Sequence, residues 1–363
     1  MLSSRVLPRL LCIAFLAAPS AARAQDALER AVDEVLAEPL RDRRFSGAVL
    51  VRRDGKTLLR KAYGLADREL GKPNTPDTPF MIMSVSKQFT AALILRLAAQ
   101  GRLHLCDRVG DRLPGWPEEW NAVTIHDLLS HSAGTDIDTT FFWLVSRFPQ
   151  YWPDATEAPP PYVPRALVAP PGTKFQYSNV GYTLLTMIAT AATGRPFDEL
   201  MRVEVFGPLG MTHTVPERGH RVPGRARGYA RTETGFELSE QETIDIVGAG
   251  DLVSTVDDLA RYSEALYDDR FLPAALRKAM LTAYVSGRQG GIGYGWFLRT
   301  GKDGKPLQLH SGSGAGFRAW NVRIPESRLS IVILSNVLND EAAFVLPLVS
   351  RIQEFTEAAR SAP

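Results

Sequence analysis

The order of strand-like and helix-like segments along the chain is the feature that most constrains its fold. Residues 45–64, FSGAVLVRRDGKTLLRKAYG, have the pattern of two strands joined by a tight turn at Asp54-Gly55. Further strand candidates lie near the other end, at residues 306–311, 318–324 and 329–335, and helical segments lie near 84–100, 124–130, 179–192, 195–204, 256–268 and 340–358. This order implies an antiparallel sheet whose first and last strands come from opposite ends of the chain, with the helical middle packed against it.

Residues 1–24 have the features of a secretory signal peptide. Arg5 and Arg9 give a positively charged start, residues 10–18 are apolar, and Ala22-Arg23-Ala24 is a small-x-small cleavage site. The apolar run is too short to span a membrane. We therefore expect export to a periplasm or the exterior and removal of this segment; an uncleaved anchor is the alternative.

Charge and cysteine content narrow the classes of function. The whole chain has a formal charge of +2, and cleavage after residue 24 removes three arginines and no acidic residue, which leaves −1. Such a near-neutral chain gives no indication of binding to nucleic acid or to an anionic membrane. Only Cys106 remains after cleavage, which excludes an internal disulfide. The mature chain must therefore be held together by its hydrophobic core.

The segment MIMSVSKQFTA, residues 81–91, places Ser84 and Lys87 three positions apart at the start of an apolar helix. Residues three apart on a helix share a face, so the amine can reach the hydroxyl. A serine hydroxyl needs a base to become a nucleophile, and a lysine is that base only if its pKa falls from ~10.4 toward ~7. Burial or a positive neighbour can produce this shift. Because Ser-x-x-Lys is common by chance, the motif alone leaves coincidence open.

Two further motifs follow along the chain. FQYSNVGY, residues 175–182, contains Tyr177 and Asn179, a phenol that can relay the nucleophile's proton and an amide that can bind a substrate carbonyl or the lysine amine. LQLHSGSGAGF, residues 307–317, places His310-Ser311-Gly312 at the end of a strand candidate. Glycine there lets a substrate approach the strand backbone closely.

The order Ser-x-x-Lys, Tyr-x-Asn, His-x-Gly resembles the serine β-lactamase and penicillin-binding protein superfamily, in particular its class C, carboxypeptidase and esterase branch. The resemblance covers nearly the whole mature chain. It includes HDLLSHSAGTD (126–136), PPGTKFQYSNVGYTLL (170–185), FGPLGMTHT (206–214), GAGDLVSTVDDLARY (248–262) and GYGW (293–296).

The resemblance implies an α/β fold of the α+β sandwich type. A five-stranded antiparallel sheet with helices on both faces would lie beside an all-helical region, with the active site between them. We therefore expect one catalytic domain over residues 25–363. Its sheet part would comprise about 25–83 and 255–363, and its helical part about 84–254.

The resemblance also implies a catalytic role for three residues. Ser84 would be the acylated nucleophile and Lys87 its proton acceptor. Tyr177 would be a partner base that also serves deacylation. Chemistry of this kind uses neither a cofactor nor a metal.

Four more residues are implied to bind the substrate, which would be a small molecule or a peptide. Asn179 would orient it, and His310 would bind its carboxylate or assist proton transfer, with Gly312 beside it. The backbone N–H groups of Ser84 and Ser313 would form the oxyanion hole.

One position departs from the β-lactamase pattern. Class C β-lactamases carry Lys-Thr-Gly where this chain has His310-Ser311-Gly312. A lysine holds a fixed positive charge for a β-lactam's carboxylate, whereas a histidine with a pKa near ~6.5 is mostly neutral at pH 7. Amide or ester substrates, such as D-alanyl peptides, are therefore favoured over efficient penicillin hydrolysis. The competing hypothesis is a non-catalytic, penicillin-recognising sensor.

Two other features do not decide the function. Residues 139–172 combine many aromatic side chains with eight prolines, which is typical either of a surface loop pinned by its aromatics or of a lid over a cleft. No histidine lies in a His-Glu-x-x-His arrangement, so a zinc site is not expected. His126 and His131 are predicted to be structural.

Overall fold

A computed structural model of the chain describes residues 21–113, 118–134, 167–217, 221–239, 246–288, 290–301, 303–338 and 343–361. Most of the predicted signal peptide lies outside the described residues. The same holds for most of the aromatic and proline-rich segment 139–172. The signal peptide therefore stays a prediction, and the choice between a surface loop and a lid for residues 139–172 stays open. In the described part of the chain, no helix is both long enough and apolar enough to cross a membrane.

The strands follow the chain from Gly47 to Leu338. They are β1 (Gly47–Arg53), β2 (Lys56–Tyr63), β3 (Leu65–Asp67), β4 (Lys72–Pro73), β5 (Phe80–Met81), β6 (Val215–Pro216), β7 (Tyr229–Arg231), β8 (Phe236–Leu238), β9 (Leu252–Ser254), β10 (Val285–Gly287), β11 (Gly290–Ile292), β12 (Phe297–Thr300), β13 (Pro306–Gly314), β14 (Phe317–Ile324), β15 (Leu329–Ser335) and β16 (Val337–Leu338). The predicted hairpin is confirmed: Asp54 and Gly55 both have positive φ, as a type I′ turn requires.

The described helices begin before the first strand and end near the carboxyl terminus. They are α1 (Ala21–Arg41), α2 (Ser86–Ala99), α3 (Val109–Arg112), α4 (Ile125–Leu129), α5 (Asn179–Thr193), α6 (Phe197–Leu200), α7 (Val256–Ala265), α8 (Ala274–Met280) and α9 (Val345–Ser361), and a π-helical turn (Met201–Phe206) continues α6. The sequence patterns did not predict α1. Its first residues include the predicted cleavage site.

One large antiparallel sheet joins the two ends of the chain. Its strand order is β10-β11-β12-β13-β14-β15-β1-β2, so β1 pairs directly with β15, from Gly47 opposite Ser335 to Arg53 opposite Leu329. The edge strands β2 and β10 come from opposite ends of the chain, as predicted. The sheet has eight strands rather than the five that the resemblance implied, because three short strands, β10 to β12, extend one edge beyond the five long ones.

Hydrophobic cores cover both faces of this sheet, which explains why every residue of β15 is buried. On one face, α1 and α9 pack over residues such as Val49, Ile331 and Ile333. On the other face, α2, α5 and α7 share a core with Leu50 and Leu334. The two adjacent residues Val49 and Leu50 thus point into different cores, because successive side chains of a strand face opposite sides. The α+β fold class is confirmed.

Candidate active site

Ser84 lies at the sharp connection between β5 and α2. It occupies a one-turn 3-10 helix, Met83–Val85, rather than the first turn of α2 as the sequence predicted. The backbone of Met83 has a φ of +50°, a conformation that side-chain-bearing residues rarely adopt. The preceding Ile82 N–H donates to the carbonyl of Leu252 at 2.9 Å, which fixes this strained connection to β9. Such local strain is typical of functional sites.

The Lys87 side chain is completely buried, and its amine lies where three oxygen atoms converge. Its Nζ is 3.2 Å from Ser84 Oγ, 2.8 Å from Asn179 Oδ1 and 2.6 Å from the carbonyl oxygen of Ala249. Loss of solvation by burial lowers the pKa of Lys87 well below its usual value, although the charge of Asp251 acts in the opposite direction.

The three oxygens could each accept from an ammonium, and they also fit a neutral amine. The oxygens of Asn179 and Ala249 can only accept, so they take two N–H groups of Lys87. A neutral amine then has its lone pair left for Ser84, whose hydroxyl can donate to it. The site therefore holds the lysine in the geometry and with the depressed pKa that removal of the Ser84 proton requires.

Tyr177 adjoins the same hydroxyl. Its phenol hydrogen-bonds the Ser84 side chain, and its ring lies 4.8 Å from Lys87 Nζ. Burial raises the pKa of Tyr177, so the phenol keeps its proton at neutral pH. In the resting site Tyr177 can relay a proton but does not stand ready as a base, and its predicted role as partner base stays a prediction.

His131 positions Tyr177, a contact that the sequence motifs did not reveal. The two rings stack at 4.5 Å with an interplanar angle of 22°, and the Ser178 N–H donates to His131 Nδ1 at 3.0 Å. Burial lowers the pKa of His131 well below its usual value, so the ring is neutral. Ser178 in turn caps α5 by accepting from the Gly181 N–H at 2.9 Å, which places Asn179 at the first position of that helix.

His310 lies on β13 opposite Asn321, on the face of the sheet that packs against α2 and α7. Its side chain is only 2% exposed, and its Nδ1 donates to the Ser311 carbonyl at 2.8 Å. Burial, assisted by the charge of Lys87, lowers the pKa of His310 to about 3. The expectation of a pKa near ~6.5, taken from solvated histidine, is therefore wrong for this position. His310 is neutral at pH 7.

Gly312 is required by the protein's own packing. A Cβ at this position would lie 2.2 Å from the carbonyl oxygen of Ile82 and 3.0 Å from the Ser84 nitrogen. The sequence attributed this glycine to close approach of a substrate, but the segment that approaches is the connection bearing Ser84. The absence of a side chain brings β13 directly against the nucleophile's backbone.

Ser313 follows on an open part of the same strand. β12 pairs with β13 only from Pro306 to Leu309, and Ser313 is exposed. Beyond Leu309, the backbone of β13 pairs with β14 on one side, where Ser313 lies opposite Arg318. On its other side it pairs with no described strand. The role of Ser84 and Ser313 as oxyanion-hole donors stays a prediction.

The structure thus brings Ser84, Lys87, Tyr177 and Asn179 into one site, with β13 beside it. The sequence motifs did not identify Ala249 and Asp251. Both residues lie in the segment GAGDLVSTVDDLARY, outside Ser-x-x-Lys, Tyr-x-Asn and His-x-Gly. Within the described ranges, no group of three or more His, Cys, Asp or Glu side chains could hold a metal ion.

A serine beside a desolvated lysine, set between an antiparallel sheet and a helical region, is the arrangement of the serine hydrolases of the β-lactamase and penicillin-binding protein superfamily. The Beta-lactamase family model matches residues 27–351, and the chain belongs to this family.

The chain is similar to several characterised members. It is 28% identical over 319 residues to penicillin-binding protein 4* of Bacillus subtilis, covering 82% of this chain and 69% of that protein. It is 29% identical over 299 residues to the D-aminopeptidase of Gluconobacter oxydans, covering 80% of this chain and 55% of that protein. Its structure matches D-amino acid amidase from Ochrobactrum anthropi with a TM-score of 0.74 and 25% identity, covering 92% of this chain and 100% of that one. The chain thus spans only about half of the D-aminopeptidase.

The buried, neutral His310 makes stability depend on pH. The unfolded chain takes up a proton on this histidine near pH ~6.5, whereas the folded chain does so only near its pKa of about 3. The free energy of unfolding should therefore decrease as the pH falls from ~6.5 toward 3, by up to about 1.4 kcal/mol per pH unit from this group. Chemical denaturation of His310→Gln between pH 6 and pH 4 should show a correspondingly shallower decrease.

His104→Gln provides the matched control, because this histidine is exposed rather than buried. His104→Gln should keep the slope of the unmodified protein. Equal slopes for His310→Gln, His104→Gln and the unmodified protein would contradict the burial argument.

Proposed function

We propose that this protein is an exported serine hydrolase that hydrolyses small amides or esters through an acyl-enzyme on Ser84. One observation carries the proposal: the desolvated Lys87 amine lies 3.2 Å from the Ser84 hydroxyl. Lys87 takes the hydroxyl proton as Ser84 Oγ bonds to the substrate carbonyl carbon. The proton then passes to the leaving amine or alcohol as the carbonyl–heteroatom bond breaks, and water hydrolyses the resulting ester.

The neighbouring groups fit the remaining requirements of acyl transfer. Asn179 uses its Oδ1 to hold Lys87, so its Nδ2 is the part of the amide that can donate to a substrate. The N–H groups of Ser84 and Ser313 would hold the carbonyl oxygen as it becomes negative, and loss of one such donor typically costs about 3 kcal/mol. Tyr177, protonated and hydrogen-bonded to Ser84, is placed to pass the proton onward.

The state of His310 supports neutral substrates over β-lactams. With a pKa of about 3, this residue offers no positive charge to a carboxylate at pH 7. The D-aminopeptidase and D-amino acid amidase relatives, by their names, act on D-amino acid derivatives. We infer that D-aminoacyl amides, short peptides or esters are turned over in preference to penicillins. Export is supported by the signal-like pattern of residues 1–24.

Ser84 should be the residue that a fluorophosphonate modifies, because Lys87 can remove its proton. Intact-protein and peptide mass spectrometry should locate one adduct on Ser84 and none in Ser84→Ala. Loss of this partly buried hydroxyl removes its hydrogen bonds and should change stability by about 1 kcal/mol, so the variant should fold.

Ser286→Ala is the matched control, since this serine is exposed on β10. It should retain labelling. Absence of an adduct on folded, unmodified protein would contradict the enzyme and support the alternative, a penicillin-recognising sensor.

Restoring a charge at position 310 should change which substrate is favoured. His310→Lys should raise kcat/KM for a carboxylate-bearing β-lactam relative to a neutral ester about tenfold at pH 7, because a desolvated cation pairs with the carboxylate. The ratio is measured with both substrates side by side, and His310→Gln, which stays neutral, should leave it unchanged. An unchanged ratio in folded His310→Lys that still acylates Ser84 would show that this position does not recognise the carboxylate.

A further inference from the structure

The turn Gly248–Asp251 lies against α2 and supplies one wall of the lysine site. Its Ala249 carbonyl accepts from Lys87 Nζ at 2.6 Å, which makes this the shortest of the three contacts of the amine. The turn is closed by its own aspartate, because the Gly248 N–H donates to Asp251 Oδ1 at 2.8 Å. Asp251 has no exposed surface.

Contacts on both sides prevent this turn from shifting. The Thr90 hydroxyl, one turn beyond Lys87 on α2, donates to the Gly248 carbonyl at 2.6 Å. Gly248 has a φ of +72°, and a Cβ there would lie 2.2 Å from Thr186 Cγ2. The Leu252 N–H donates to Ser86 Oγ at 3.2 Å, so α2 also holds the residue after the turn. The carbonyl that faces Lys87 therefore has a fixed direction.

Asp251 also acts on Lys87 through its charge. The other titratable groups around the amine are Tyr177 and Tyr182, whose rings lie 4.8 and 5.8 Å from Nζ, and His131 and His310, whose pKa values the lysine helps to lower. Burial raises the pKa of both phenols and lowers the pKa of both imidazoles, so all four are neutral at pH 7. Of the described groups, Asp251 is the one whose negative charge stabilises the ammonium form of Lys87.

We propose that Asp251 is a positioning residue for the reaction proposed above: it closes the Gly248–Asp251 turn so that the Ala249 carbonyl directs the Lys87 amine toward Ser84. Its charge also favours the ammonium form of Lys87, which raises the pH at which that amine becomes a base. The two effects differ in how they depend on pH. The charge decides at which pH labelling of Ser84 begins, and the turn decides how fast labelling is once the amine is neutral. This proposal rests on the proposed function.

The test is the pH profile of the rate at which a fluorophosphonate modifies Ser84. Asp251→Asn keeps an oxygen for the Gly248 N–H but removes the charge. The acid limb of its profile should therefore move to lower pH by about one unit, because the neighbouring anion no longer favours the ammonium. Asp251→Ala removes the hydrogen-bond acceptor as well, and its maximal rate should fall about tenfold because the carbonyl is no longer held.

Asp258→Asn is the matched control. Asp258, on α7, is also fully buried, but it accepts from the His213 N–H and the Thr214 hydroxyl and pairs with Arg261. Its acid limb should coincide with that of the unmodified protein. An unshifted acid limb in folded Asp251→Asn would overturn the role of the charge while leaving Ser84 acylation, and so the proposed function, intact. Absence of labelling in the unmodified protein at every pH would instead overturn the proposed function.

Thr90→Val tests the turn if the Asp251 variants do not fold. It removes the Thr90 contact to Gly248 without changing any charge. Its maximal labelling rate should fall several-fold while the acid limb stays in place. An unchanged rate in folded Thr90→Val would overturn the positioning role. Melting temperature and circular dichroism establish folding for each variant.

Discussion

The burial of one lysine amine is the constraint on which the rest of the site depends. An ammonium group without solvent is costly, and the cost falls when the group is neutral and its hydrogen bonds are satisfied. The oxygens that satisfy Lys87 come from three separate parts of the chain: the 3-10 turn at Ser84, the start of α5 at Asn179, and the turn at Ala249. The fold must therefore bring these segments together before the lysine can serve as a base.

The sheet contributes to the active site through close backbone contact more than through charged side chains. Gly312 allows β13 to meet the segment that carries Ser84, and a methyl group in its place would overlap the Ile82 carbonyl. His310 is buried and neutral beside the amine. Neutral groups around the amine do little to stabilise an ammonium, so burial keeps the pKa of Lys87 low. The same neutral surroundings also lack the fixed charge that would attract an anionic substrate. The low pKa of Lys87 and the preference for neutral substrates therefore have the same physical cause.

Much of the fold and the central motif could be predicted from the sequence, and the omissions have physical reasons. The hairpin at Asp54-Gly55 and the apolar run of β15 carry local signals, and both were found. The short strands β10 to β12 were missed because three or four residues show no periodicity. The Ala249 contact is made by a backbone carbonyl, which leaves no trace in the side chain. The pKa of His310 depends on burial that only tertiary packing creates. The pKa of a solvated histidine therefore did not predict it.

The central claim is that Lys87 is a neutral amine at working pH. It can be measured directly by NMR on protein labelled with ¹³C at the lysine ε-carbon, where the eight lysines of the chain are titrated together. The signal of Lys87 is the one missing from Lys87→Arg. The account predicts a titration midpoint far below the ~10.4 of a solvated lysine, because the buried amine loses its hydration when charged. A Lys87 signal that titrates near ~10.4, in folded protein whose Ser84 is reactive, would contradict the account.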